Sequence, residues 1–218
     1  MNHYLGIDIG TGGCKAVVFD DNGKQVSSSF REYSIISPHP GWAELDTDEV
    51  IAKCFDVIRE ASEGAGRGSV IGIGISCQGE AFTFTDRDGK AMCRALVSSD
   101  IRASQLIRPW VNGFGEEKLY NITGHTPHPM FSLFKLLWMK ENEPGILAEA
   151  ARILCFEDLL QFRLGITAPS MGWPLAGRTM LFDVVTHRWD TTIAGKAAID
   201  IKKLSRPQRS GSLAGFVS

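Results

Sequence analysis

An α/β fold, in which a mixed sheet opens on three antiparallel strands and carries helices on its faces, is predicted by three features of this chain. A glycine turn, Gly10-Thr11-Gly12-Gly13, separates two apolar strands, so the first strand runs into a hairpin rather than a helix. A third strand follows before the first helical pattern begins, at residue 47. A continuous apolar run, Val70 to Ser76, then precedes a second half dominated by helical periodicity.

Taken in order, residues 3–10, 15–20 and 24–33 are the expected strands, with Tyr4, Leu5, Ile7 and Ile9 forming the apolar set of the first. Asp20-Asp21-Asn22-Gly23 closes the second hairpin, where Asn-Gly predicts a type I′ turn. Pro38, Pro40 and Gly41 form a loop, and Asp46 is a good N-cap with Glu49 three residues on. Val50, Ile51, Cys54, Phe55, Ile58 and Ala61 recur at helical spacing, predicting a helix over 47–62 that Gly64, Gly66 and Gly68 stop. Val70 to Ser76 reads as a central strand covered on both faces, and Ala81 to Thr85 as another strand before an Asp88-Gly89 turn. Helices are expected over 103–112, 116–122, 132–142, 144–152, 156–163 and 192–199, with a loop and short strand over 167–184. Lys203 to Ser218 is expected to hold no further strand or helix, as where a connection to something else begins. Three strands, a helix, a strand and a hairpin, followed by helices, in this order form the ribonuclease-H-like layout. A dinucleotide-binding fold would pass from its first strand directly into a helix.

Composition narrows the function. The 218 residues are 44% hydrophobic and 22% charged, as in an ordinary globular protein. A net charge of −2 provides no field for nucleic acid or an anionic membrane. No apolar run is long enough to span a bilayer. The first strand starts almost at Met1, leaving no room for a signal peptide, and the five cysteines are scattered and odd in number. Together these predict reduced thiols and a cytoplasmic location.

The glycine turn carries the clearest chemistry. A hairpin turn without bulky side chains exposes backbone N–H groups that can wrap a phosphate. Gly10, Thr11, Gly12, Gly13 and Lys15 are therefore the expected phosphate contacts, and Asp8 is placed to hold a hydrated Mg²⁺. Cys14 reads as a small filler. His125 and His128 have an H-x-x-H spacing but sit among Thr, Pro and Gly on a loop, a poor metal site. At the end of the apolar run, Gln78 and Glu80 are side chains suited to reading hydroxyls. Asp100 and Arg102 offer a carboxylate and a guanidinium that can grip vicinal hydroxyls, and Asp100 can also cap the helix at 103.

The turn resembles the first phosphate motif of the actin-like ATPase superfamily, and most of all that of the FGGY carbohydrate kinases (xylulokinase, gluconokinase, glycerol kinase). Met130-Phe131-Ser132-Leu133-Phe134-Lys135-Leu136-Leu137-Trp138-Met139-Lys140-Glu141-Asn142 matches the first signature of that family at every constrained position. Cys155 to Leu160 and Arg178 to Asp183 are similar to it as well. Glu80 matches the glutamate of the glycerol kinase strand-end segment, whereas Gly79 stands where glycerol kinase has arginine and xylulokinase has methionine beside a histidine. Asp100 and Arg102 match the family's Trp-x-Asp-x-Arg segment, with Ser98 in place of the tryptophan. Loss of the indole predicts a wider, more polar pocket.

The resemblance implies ATP and Mg²⁺ as cofactors and phosphorylation of a sugar, polyol or sugar acid. It implies Gln78, Glu80, Asp100 and Arg102 as substrate contacts, and Asp8 with the glycine turn as the phosphate site. In the family, a second domain carries a Gly-His-Asp segment with the base aspartate and the adenosine site. No Gly-His-Asp occurs here, and neither His125 nor His128 is followed by aspartate. Residues 1–218 are thus expected to be the N-terminal kinase domain, inactive alone, with the C-terminal kinase domain as partner. A second copy of the chain remains open as a partner. Other open readings are an actin-superfamily ATPase and a catalytically inactive sugar-binding protein.

Overall fold

The structure, a computed structural model, describes residues 1–217. The chain begins with strands β1 (Asn2–Ile9), β2 (Gly13–Phe19) and β3 (Gln25–Glu32), then a short β4 (Glu44–Leu45), helix α1 (Thr47–Gly64) and β5 (Ser69–Cys77). It divides into two compact units: residues 1–35 with 45–78, and residues 36–44 with 79–218.

In the first unit, β1, β2 and β3 form the expected antiparallel meander, with β5 added parallel to β1 in the order β3-β2-β1-β5. Asp46 caps α1 by accepting the Glu49 N–H at 3.0 Å. The buried stripe of α1 is Val50, Ile51, Cys54, Val57 and Ala61, against Leu5, Ile7, Ile9, Ala16 and Val18 of the sheet. Phe55, expected in that stripe, is exposed, and Val57 takes its place.

The second hairpin differs from the expected type I′ turn. Only Gly23 is left-handed there (φ +75°). The Gly23 N–H donates to the Asp20 carbonyl, and Asp20 Oδ1 accepts from the Asn22 and Lys24 N–H groups. The aspartate holds a type I turn open at its first position, and Gly23 supplies the bulge that restores pairing. The same device recurs at Asp86 to Lys90, with Gly89 at φ +78°.

β5 is a correction. It lies at an edge of its sheet rather than at a covered centre, and Val70, Ile71 and Ile73 are 38%, 56% and 37% exposed. An apolar run records that a strand suits burial, and says nothing of what lies over it.

In the second unit, β6 (Phe82–Thr85) pairs antiparallel with β7 (Ala95–Leu96) and later with β8 (Arg152–Cys155), in the order β4-β7-β6-β8. Helices α2 (Ser104–Phe114), α3 (Glu116–Thr123), α4 (Ser132–Asn142), α5 (Pro144–Glu149) and α6 (Phe156–Arg163) follow. β8 begins at Arg152, the last residue of the helix expected over 144–152, and fills the gap before the next helix with a strand whose Ile153 and Leu154 are buried. β9 (Ser170–Gly172), α7 (Trp173–Gly177), the β10–β11 hairpin (Phe182–Asp183, Arg188–Trp189) and α8 (Thr191–Ala197) complete it. The final segment is not free of structure: β12 (Arg206–Gln208) pairs parallel with β9. Three residues carry too little periodicity to reveal such a strand.

Candidate active site

In the first unit, the Gly10–Gly13 turn is held by its carbonyls. The Gly10 carbonyl accepts from Tyr33 Oη at 2.7 Å and from Gln78 Nε2 at 3.0 Å, and the Gly12 carbonyl accepts from the Tyr33 N–H at 3.2 Å. Thr11 Oγ1 donates to Gln78 Oε1 at 3.2 Å, and the Gly10 N–H closes the turn on the Gly13 carbonyl. By contrast, the N–H groups of exposed Thr11 and Gly12 have no acceptor among the described residues. With carbonyls tied inward and amides left outward, the turn is polarised toward an anion.

Gly12 has nothing within 4 Å of where a Cβ would stand, so no internal packing demands glycine there. Gly13 differs: a Cβ would come within 2.7 Å of the Arg31 carbonyl and the Phe30 ring. Asp8 is exposed near the end of β1, paired in register with Lys15 of β2 and Ser76 of β5. No group of three metal-ligating residues exists among the described residues. Cys14, just beyond the turn, is buried and is a packing residue.

Gln78, expected at the acceptor, spends both ends of its amide on the Gly10–Gly13 turn. Its neighbours in sequence belong to the second unit.

There, Glu80 is a buried carboxylate on a left-handed backbone (φ +59°), an unusual conformation for a residue with a side chain. Its Oε2 lies 2.8 Å from Ser98 Oγ, and its Oε1 pairs with the Arg178 guanidinium. The Ser132 hydroxyl of α4 donates to the Glu80 carbonyl. Lys135, one turn on, is fully buried and donates to the Val97 carbonyl at 2.9 Å. Burial pulls its pKa down to about 8, against the pull of the Glu80 and Asp100 carboxylates.

Asp100 and Arg102 are both turned inward. Asp100 accepts from the Ala43 N–H at 2.8 Å, from the Arg102 N–H, and from the Arg102 guanidinium at 2.6 and 2.9 Å. Arg102 also reaches Glu44 at 2.7 Å, and its guanidinium lies 3.7 Å from the centre of the Trp42 ring and 5.0 Å from that of Trp138. Its side chain is 3% exposed. Asp100 does not cap α2, which begins at Ser104 without a side-chain cap.

Sequence reasoning missed Tyr33, Trp42, Lys135 and Arg178. A lysine within the apolar stretch Leu133 to Leu137 was a legible signal. Arg178 had none, because its partner Glu80 is almost a hundred residues away. His125 and His128 diverge: His125 lies against Phe131, and His128 Nδ1 accepts the Met130 N–H.

The model of the FGGY family of carbohydrate kinases, N-terminal domain, matches residues 3–218. The chain belongs to this family. The L-xylulose/3-keto-L-gulonate kinase of Escherichia coli is 34% identical over 164 residues, 74% of this chain and 33% of that protein. The glycerol kinase of Rhizorhabdus wittichii is 31% identical over 100% of this chain and 45% of its own length. Among solved structures, Plasmodium falciparum glycerol kinase with ADP superposes with a TM-score of 0.93 at 27% identity, covering 100% of this chain and 45% of that one. The fold is the ribonuclease-H-like fold of the FGGY and actin-like ATPases. This FGGY chain spans between a third and a half of the length of the curated relatives it matches.

Proposed function

We propose that this chain is the N-terminal half of a cytoplasmic, two-domain kinase that transfers the γ-phosphoryl group of ATP to a hydroxyl of a small sugar, polyol or sugar acid. The observation that carries the reading is the turn whose carbonyls are bound and whose Thr11 and Gly12 amides are free. Phosphoryl transfer asks a protein mainly for positioning and charge neutralisation. Gly10, Thr11, Gly12, Gly13 and Lys15 would receive the phosphates, and Asp8 would hold Mg²⁺ through its water. The ion, when bound, neutralises charge on the transferring group. Gln78 would hold the turn in its polarised form.

Glu80 would accept a hydrogen bond from an acceptor hydroxyl and orient it. Asp100 and Arg102, locked to each other, would serve as the rigid wall behind it. The base and the adenosine site would belong to a C-terminal half, in keeping with relatives more than twice as long. The uncovered apolar strand β5 supports such a partner.

Titration of the ¹⁵N-labelled chain with MgADP tests the reading. Thr11 and Gly12 amide resonances should shift saturably. Shifts absent from the turn would overturn the phosphate site. Without its other half, the chain should turn over at less than a hundredth of a typical kinase rate of ~1–100 s⁻¹.

A further inference from the structure

Arg178 follows α7 and is drawn over the strand end at Gly79. Its Nε lies 3.3 Å from where a Gly79 Cβ would stand. One terminal nitrogen pairs with Glu80 and lies 3.9 Å from Met130 Sδ, and the guanidinium carbon is 5.2 Å from the centre of the Phe131 ring. Nε and Nη1 have no hydrogen-bond partner among the described residues, and the side chain is 36% exposed. Glu80 beneath it holds a left-handed backbone conformation while buried, a strain that persists only where the surroundings fix it. Ser98 on one oxygen and Arg178 on the other are that fixing. His125, across Phe131, has its pKa lowered by burial and by the Arg178 charge.

We infer that Arg178 is a substrate-contacting, specificity-determining residue that donates from its free guanidinium edge to the carbonyl or carboxylate oxygen of an open-chain ketose or sugar acid. The inference rests on the acceptor reading of Glu80 given above. A guanidinium only donates and an ionised carboxylate only accepts. The pair therefore selects a molecule with a hydroxyl proton for Glu80 beside a strong acceptor oxygen for Arg178. A planar, charge-assisted donor favours sp² oxygen over a plain alcohol. Glycine at 79 leaves that edge uncovered, where a side chain would press on it.

The chain, labelled with ¹⁵N, is titrated with xylulose, gluconate and glycerol, as wild type, Arg178→Lys and Arg178→Ala. Lysine keeps a charge beside Glu80 but removes the Nε donor. Xylulose or gluconate should shift the Arg178 Nε–H resonance together with the Gly79 and Glu80 amides. Arg178→Lys should weaken that binding about tenfold or more while glycerol binding changes less than about threefold. Saturable shifts at Glu80 and Ser98 with an unmoved Arg178 Nε–H, or unchanged affinity in Arg178→Lys, would overturn the role of Arg178 and leave the acceptor site standing. If none of the three compounds moves Glu80 or Ser98, the acceptor reading falls and this inference with it. Should Arg178→Ala fail to fold, the wild-type Nε–H resonance and the lysine variant decide.

Discussion

Gln78 closes the glycine turn from the end of the adjacent strand: its amide nitrogen is 3.0 Å from the Gly10 carbonyl, while its amide oxygen accepts the Thr11 hydroxyl at 3.2 Å. Removing these two bonds frees a carbonyl that would otherwise face inward, beside the amides proposed for phosphate. Gln78→Ala should weaken MgADP binding by about five- to thirtyfold, since each of the two lost bonds is worth roughly 1 kcal/mol. Affinity for the acceptor should be unchanged. Calorimetric titration with MgADP and with sugar distinguishes this from direct substrate contact.

The turn glycines should separate by role. Gly12→Ala meets no atom within 4 Å, so thermal stability should hold while MgADP affinity falls. Gly13→Ala drives a Cβ to 2.7 Å from the Arg31 carbonyl and should lower the melting temperature, because backbone cannot swing away as a side chain can. Equal melting temperatures for the two variants would refute the distinction.

Asp8 is exposed and its loss should leave folding intact. With the chain joined to its C-terminal half, Asp8→Asn should lower kcat by about a hundredfold or more and leave the acceptor KM within about twofold. Steady-state kinetics with both substrates varied would show a near-normal kcat if Asp8 had no part in phosphoryl transfer.

Arg102 is a stability residue. Arg102→Ala strips the cation from between Trp42 and Trp138, leaves Asp100 as a buried carboxylate held only by the backbone N–H groups of Ala43 and of position 102, and leaves Glu44 with only the longer Arg94 contact at 3.6 Å. The expected cost is roughly 3–5 kcal/mol, read by urea unfolding. A loss below about 1 kcal/mol would show that the cluster is not held by Arg102.

Asp158 makes stability fall with pH. Burial pushes its carboxyl up to about 8, although the Ser205 hydroxyl at 2.6 Å favours the ionised form. The folded chain keeps this proton where the unfolded chain, titrating near 3.8, releases it. Stability from this group is therefore full below the unfolded value, declines as pH rises toward about 8, and is flat beyond. Asp158→Asn should flatten that slope in urea unfolding measured across the interval. An unchanged slope would assign the titration elsewhere.

The sequence by itself determined the meander, the glycine turn, the first helix with its Asp46 cap, and the family. Each is written in neighbouring residues: the glycine spacing, the 3.6-residue stripe through Val50, Ile51 and Cys54, and the Met130–Asn142 signature. Only the tertiary structure decided what lies opposite. It showed β5 with an uncovered face, and it placed β8 and β12 where three or four residues become strands because a partner edge is free. It also redistributed the polar groups. Gln78 went to the turn, Asp100 and Arg102 into a tryptophan clamp, and Arg178 came to Glu80 across the chain. Local periodicity fixes which residues share a strand or helix face. Which charge neutralises which is settled by burial, because a desolvated carboxylate must find its donor wherever the fold brings one.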